Sequence, residues 1–408
     1  MVVSFLLSRL ITNASTINGE CVSLGQTSTN EKFERLYDWN YINFTWPSVN
    51  EYSQAVNTGK YVPEHNAIVG VKFFNDRLYL ALPKAKSGAP VTLAYVQQEQ
   101  ENVVHATNPL LTPYPSWKWN TDPDCRYLQN VQSMEIDRKG VMWVLDGRRV
   151  DKTETKCPPK IVLLDLNANG KVLKSYIVPD GVCRHESCFL NDLVLDEYDG
   201  GYAYITDTSA DPGLIVYSRK HNRSWKVRDA TMHAQLEAAN FSVQGHVHSH
   251  STPIDGIAME PASSLDDPSR MVYYTALTGL NLYAIRSDIL RDEALATTSK
   301  VHEHIIDVGQ KSGPSDGLVM DSERNLFYGV LTKDSVEKWN ASTSISTAKT
   351  VDQNSDLIFW PDSFGFDTIG NMYLVSNNIG YFLENDISRE KINFRLLKFY
   401  TGTCSYLY

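Results

Sequence analysis

A chain of 408 residues with 38 basic and 48 acidic side chains carries a net charge of −10 and no Lys/Arg block. That balance excludes the concentrated basic patch that a nucleic-acid partner requires, and it suits cationic small molecules. The apolar share of 42% is that of a folded globular protein, and no uninterrupted apolar run approaches the ~20 residues that span a bilayer as a helix.

The first element in chain order is an apolar stretch, Val2 to Leu7, shaped like the core of an export signal. It lacks a basic leading segment and Arg9 interrupts it, so residues 1–20 are read as a signal peptide or a disordered N-terminus. Residues 21–408 are expected to form one domain. Within it one pattern recurs six times: an alternating apolar strand that usually ends in an acidic residue, a polar or Gly turn, and a second strand rich in aromatics. The copies are VGVKFFNDRLYLAL (69–82), MEIDRKGVMWVLD (134–146), LVLDEYDGGYAYITD (193–207), IAMEPASSLDDPSRMVYYTAL (257–277), LVMDSERNLFYGVL (318–331) and FGFDTIGNMYLVSN (364–377). Their starts lie 65, 59, 64, 61 and 46 residues apart, which suits a four-stranded blade with loops and exceeds a solenoid repeat.

Outer strands are legible too: 160–166 and 172–178 flank Asn169-Gly170, a hairpin-turn pair, and 213–217 and 224–227 flank a short polar turn. Helical signal is confined to residues 287–296, in a connection. The predicted fold is all-β, a six-bladed propeller, since radial repetition leaves only short edges. A pair of β-sandwich domains does not account for six copies of one pattern. The last copy is one strand short, and residues 34–46 (ERLYDWNYINFTW) have no partner in the first blade, so the N-terminal strand is placed outermost in the last blade. This brings Cys21 near Cys404. Cys125 and Cys157 bracket one strand pair and are expected to bond, as are Cys183 and Cys188 in a small loop. An even set of six Cys, with sequons at Asn43, Asn222, Asn240 and Asn340, points to a secreted, extracellular protein, read as a monomer.

The segments LTPYPSWKWN (111–120), MWVLDGRRV (142–150), CPPKIVLLDLN (157–167), YITDTSADPGLIVYSRKHNRSWKV (204–227) and DGIAMEP (255–261) resemble the yellow and major royal jelly protein family in order and wording. The resemblance runs from about Phe33 to Phe399. It implies a secreted six-bladed propeller and a choice of roles: dopachrome conversion in melanin synthesis, binding of biogenic amines in the central cavity, or structural and nutritional roles without catalysis. Two places depart from the family pattern, the loop GVCRHESCFLND (181–192) and the histidine triplet in GHVHSHS (245–251).

Aligned on the end of the first strand, the copies carry Gln132, Asn191, Asp255, Asp316 and Asp362 at one equivalent position, with Ile68 in the first copy. First strands line a propeller's axis, so these side chains should converge on one end of the tunnel. The alternative is that each caps its own strand. Two functional readings follow. In the first, Asp316 and Asp362 hold an aromatic amine or quinone-type ligand, Asn191 and Asn377 orient it, and Trp360 stacks on it; Asp316 or Asp362 is then the candidate base for dopachrome conversion. In the second, ranked lower because no Glu joins the set, Asn191, Asp255, Asp316 and Asp362 chelate Ca²⁺ as in propeller lactonases. No other cofactor is implied. His246, His248 and His250 alternate as a metal set on a strand would, although an exposed polar loop is the favoured reading. The Cys spacing suits disulfides and not zinc knuckles. No nucleophile elbow, phosphate loop or dinucleotide fingerprint occurs.

Overall fold

Strands whose two faces are both covered are buried at successive positions and mostly apolar, as the second strands Val141–Asp146 and Tyr202–Asp207 are. Outer strands meet water on one side and alternate, as Lys171–Ile177 does. The computed structural model describes residue 21 and residues 32–98, 105–147, 157–264 and 266–408. The expected signal segment, 1–20, lies outside the described residues.

The second strand of every copy pairs antiparallel with the first, and six sheets follow in chain order. Blade 1 consists of Gly70–Phe74, Arg77–Ala81, Leu93–Gln97 and the short Thr112–Pro113. Blade 2 is Val131–Ile136, Val141–Asp146, Lys160–Asp165 and Lys171–Ile177. Blade 3 is Leu190–Asp196, Tyr202–Asp207, Gly213–Ser218 and Arg223–Val227. Blade 4 is Ile254–Met259, Met271–Ala276, Asn281–Arg286 and Ile305–Gln310. Blade 5 is Leu318–Met320, Asn325–Val330, Ser335–Asn340 and Lys349–Gln353. Blade 6 takes Trp360–Phe366, Asn371–Asn377 and Phe394–Tyr400 from one end of the chain and Glu34–Trp39 from the other.

That last pairing closes the ring, antiparallel from Glu34↔Lys398 to Trp39↔Phe394. The closing strand ends at Trp39, earlier than the segment to residue 46 suggests; Phe44 instead bridges Leu111. Asp38 of this strand is fully buried and meets His105 Nε2 at 3.0 Å and Arg395 Nε at 3.5 Å. Cys21 is bonded to Cys404, Cys125 to Cys157 and Cys183 to Cys188, the pairs expected from the sequence, with Cα separations of 5.9, 5.2 and 5.3 Å.

Helices differ more. Residues 287–296 form two short helices, Ser287–Arg291 and Glu293–Ala296, because Asp292 leaves helical geometry and its side chain caps the second one. A longer helix at Val49–Asn57 was not anticipated, although its start is written in Ser48 and Glu51: the Ser48 hydroxyl accepts from Glu51 N at 3.1 Å.

Deleting residues up to Trp46 should leave Phe394–Tyr400 as an open edge, so the truncated protein should aggregate or fail to accumulate. A soluble, monomeric product in size-exclusion chromatography would show that the N-terminal strand does not close the ring.

Candidate functional site at one tunnel mouth

The inner strands carry the site because they are irregular where they begin. Their pairing slips between Val131 and Ser133, Leu190 and Leu193, Ile254 and Ile257, and Pro361 and Ser363. The residues left without a ladder partner include Gln132, Asn191, Asp255 and Asp362, while Asp316 stands just ahead of its strand. A bulge re-aims a side chain out of the pleat, and here it turns the aligned polar set toward the axis.

Neighbouring blades approach closely at this level. A Cβ on Gly256 would stand 2.2 Å from the Asp316 carbonyl oxygen, and one on Gly317 would stand 2.0 Å from that of Asp362. Only glycine fits after Asp255 and Asp316, and the carboxyls are drawn together as a result.

Each has a defined partner. Asn191 Nδ2 donates to Asp255 Oδ1 at 2.5 Å, and Asp255 is hydrogen-bonded to Asp316. Trp360 Nε1 donates to Asp316 Oδ2 at 2.5 Å. Asn377 Nδ2 donates to Asp362 Oδ2 at 2.6 Å and to the Ile68 carbonyl at 3.0 Å, and its own oxygen accepts from Ile379 N at 3.1 Å. Trp360 therefore holds a carboxyl through its N–H, a different role from the stacking platform expected of it. Gln132, half-buried on its bulge, makes no hydrogen bond to these groups among the described residues.

The sequence alignment missed Asp192. It accepts from Ser133 Oγ at 2.9 Å and Leu193 N at 2.8 Å. The bulge in blade 3 holds two residues, so the dipeptide Asn191-Asp192 presents both side chains where one was expected.

Burial is the main force on the proton equilibria. It pushes Asp192 and Asp316 up to about 6, in Asp316 against the hydrogen bond from Trp360. Asp255 and Asp362 are driven well above the usual carboxyl range, first by burial and then by the Asp316 charge. Asp192, Asp316 and Asp362 nonetheless keep part of their surface open to the lumen. Among the described residues no three carboxylates here bring their oxygens within 4.8 Å of one another, and their hydrogen-bond partners include Asn191, Trp360, Asn377 and, for Asp192, Ser133.

The far end of the axis is filled by residues 405–408. Leu195 N donates to Tyr406 Oη at 2.7 Å and Tyr406 N to the Met320 carbonyl at 3.1 Å, so Tyr406 is held between the inner strands of blades 3 and 5. Between the two levels Lys72 pairs with Glu135 at 3.1 Å. At the carboxyl end, the connection from blade 3 to blade 4 folds into a hairpin, Phe241–Val243 with His246–His248. The exposed polar loop favoured by the sequence is not what forms. His246 and His248 are half-buried, His248 lies 4.7 Å from the Trp360 ring and stacks on Phe241 at 5.2 Å, and only His250 is exposed. Burial, and next the neighbouring His246, lowers His248 to about 4.

Of the sequons, Asn222 and Asn240 are exposed, whereas Asn43 and Asn340 are half-buried; Asn340 Nδ2 donates to the Glu323 carbonyl at 3.2 Å and to Asn325 Oδ1 at 3.0 Å.

Six radial sheets around a carboxyl-lined axis define a six-bladed β-propeller with its polar site at one mouth. Residues 129–403 match the family described as Major royal jelly protein, and the chain belongs to that family, which it shares with the yellow proteins. It is 26% identical over 386 residues to dopaminechrome tautomerase of Drosophila melanogaster, covering 90% of this chain and 81% of that one. It is 27% identical over 377 residues to Protein yellow of Drosophila simulans and of Drosophila melanogaster, covering 90% of this chain and 68% of each. A solved luciferin-regenerating enzyme aligns with a TM-score of 0.47 and 12% identity over 86% of this chain and 96% of that one.

Two predictions follow from the packing and the charges. Gly317→Ala forces the Asp362 backbone away and should cost about 1–3 kcal/mol, the range for overpacking, read from a denaturant midpoint. For Asp192 and Asp316 the folded pKa lies above the unfolded value, so the native state holds the extra proton. Their contribution is favourable below about pH 4 and is lost as pH rises toward about 6. Asp316→Asn removes one such group, so its stability relative to the parent should rise between pH 4 and pH 7; a constant difference in melting temperature would contradict the shift.

Proposed function

We propose that this protein binds a small aromatic amine or quinone-type molecule at the ring of carboxyls and interconverts tautomers of an aminochrome. The observation that carries the reading is the gathering of Asp192, Asp255, Asp316 and Asp362 at one mouth, with no ion pair to Asp255, Asp316 or Asp362 among the described residues. An ammonium group entering the lumen supplies the missing positive charge, and the carboxyls hold it through charge-assisted hydrogen bonds.

The same ring suits proton transfer. Tautomerisation takes a proton from a ring carbon and returns one to a quinone oxygen, so atoms and electrons balance without an added oxidant or reductant. Asp316, near 6, is ionised at neutral pH and can accept a proton. Burial and the Asp316 charge favour the protonated forms of Asp255 and Asp362, which makes these two the proton donors of the set. The 26% identity to a dopaminechrome tautomerase supports this choice of chemistry. Three disulfides and the exposed Asn222 and Asn240 support an extracellular, glycosylated protein, which we take to act as a monomer.

Asp316→Asn keeps the shape and removes a charge, and Asp362→Asn removes the carboxyl that an arriving ammonium would ionise. Each should weaken dopamine or serotonin binding by about 1–3 kcal/mol, roughly 5- to 150-fold, without lowering the melting temperature. Affinity of the parent should rise as pH passes through about 6, where Asp192 and Asp316 ionise. A purely structural cap would behave oppositely, with stability lost and affinity unchanged. Loss of aminochrome absorbance, abolished in Asp316→Asn, separates catalysis from binding alone; amine binding without turnover leaves a carrier.

A further inference from the structure

The hairpin beside the tunnel mouth holds chemistry that the carboxyl ring does not use. His246 and His248 are two residues apart on the strand His246–His248, so both rings leave the same face. His246 Nδ1 and His248 Nε2 lie 3.1 Å apart. Two imidazole nitrogens bound to one ion at about 2.0–2.1 Å, at angles between square and tetrahedral, stand about 2.9–3.4 Å apart. The observed spacing falls inside that bite.

The outer nitrogen of the same ring faces a carboxylate, within pairing distance though not aligned as a hydrogen bond. His246 Nε2 is 2.9 Å from Glu384 Oε2. A ligating imidazole commonly gives its second nitrogen to a carboxylate, which fixes the ring and raises its basicity.

The pair is also held in place. His248 is stacked on Phe241, and Tyr381 Oη ties the hairpin turn down through the Gln244 carbonyl at 2.9 Å. The helix Ile379–Leu383 presses so closely that a Cβ on Gly380 would stand 2.7 Å from His246 Nδ1. Among the described residues another cluster of ligand-type atoms, Cys183, Cys188 and Asp207, offers no thiolate because its two sulfurs are bonded to each other.

We propose that His246 Nδ1 and His248 Nε2 form a two-imidazole site for a divalent transition metal ion, Cu²⁺ or Zn²⁺, with Glu384 as its positioning carboxylate. Imidazole ligands select these ions over Ca²⁺ and Mg²⁺. The remaining positions are left to water or to an oxygen donor arriving at the tunnel mouth.

The test is calorimetric titration of the chelator-treated full chain with Cu²⁺ and with Zn²⁺, together with the Cu²⁺ electron paramagnetic resonance spectrum. We expect one equivalent bound and hyperfine splitting from two nitrogens. His246→Gln and His248→Gln should each weaken binding at least tenfold, and Glu384→Gln by about 10- to 100-fold. The exposed His304→Gln should bind like the parent. If the parent binds no more tightly than a His246→Gln/His248→Gln double variant that retains the parent's circular dichroism, the rings are a hydrogen-bonded imidazole pair and the proposal fails. Unchanged affinity in His248→Gln alone overturns it as well. Amine binding is read in a separate titration, so failure of either function leaves the other standing.

Discussion

The closeness of the inner strands at the axis governs this molecule. Glycine at 256 and 317 lets the neighbouring inner strands stand closer than any Cβ would allow, to the carbonyls of Asp316 and Asp362, so whatever side chains the bulges turn inward must share one small volume. Three of those side chains are carboxyls, and Asp316, just ahead of its strand, adds a fourth. Crowding them in a poorly solvated place raises the cost of each charge, and the structure answers with neutral donors from Asn191, Trp360 and Asn377 and with retained protons. The site's electrostatics are thus a consequence of its packing.

Such an arrangement works against stability and needs a frame that cannot relax. The closing strand Glu34–Trp39, the buried Asp38 between His105 and Arg395, and the bond from Cys21 to Cys404 lock the ring where its two chain ends meet. Residues 405–408 then fill the far end of the axis through Tyr406. The lumen is left with one mouth lined by carboxyls and one end occupied by chain.

At the open mouth, Trp360 connects two polar systems. Its N–H holds Asp316, and its ring packs against His248 of the hairpin that His246 and Glu384 complete. Anything that moves the hairpin bears on the indole and so on the carboxyl bonded to it. This contact joins residues far apart in sequence, which is why neither partner could be inferred from the other.

The local alternation of apolar residues was enough to determine the blades, because period-2 burial is a property of each strand and repeats six times. The unpaired last copy determined the closure, and closure in turn placed Cys21 beside Cys404. The ring position of Asp255, Asp316 and Asp362 was legible for the same reason, since one alignment register carries all three. The helix at Val49–Asn57 could have been read from Ser48 and Glu51. What only the tertiary structure decided were the quantities set by contacts between blades: Asp192 joining the ring through a two-residue bulge, the raised carboxyl pKa values, Trp360 as a hydrogen-bond donor, and the histidine hairpin folded in beside the mouth. Those depend on distances across the axis, and no periodicity along a single strand encodes them.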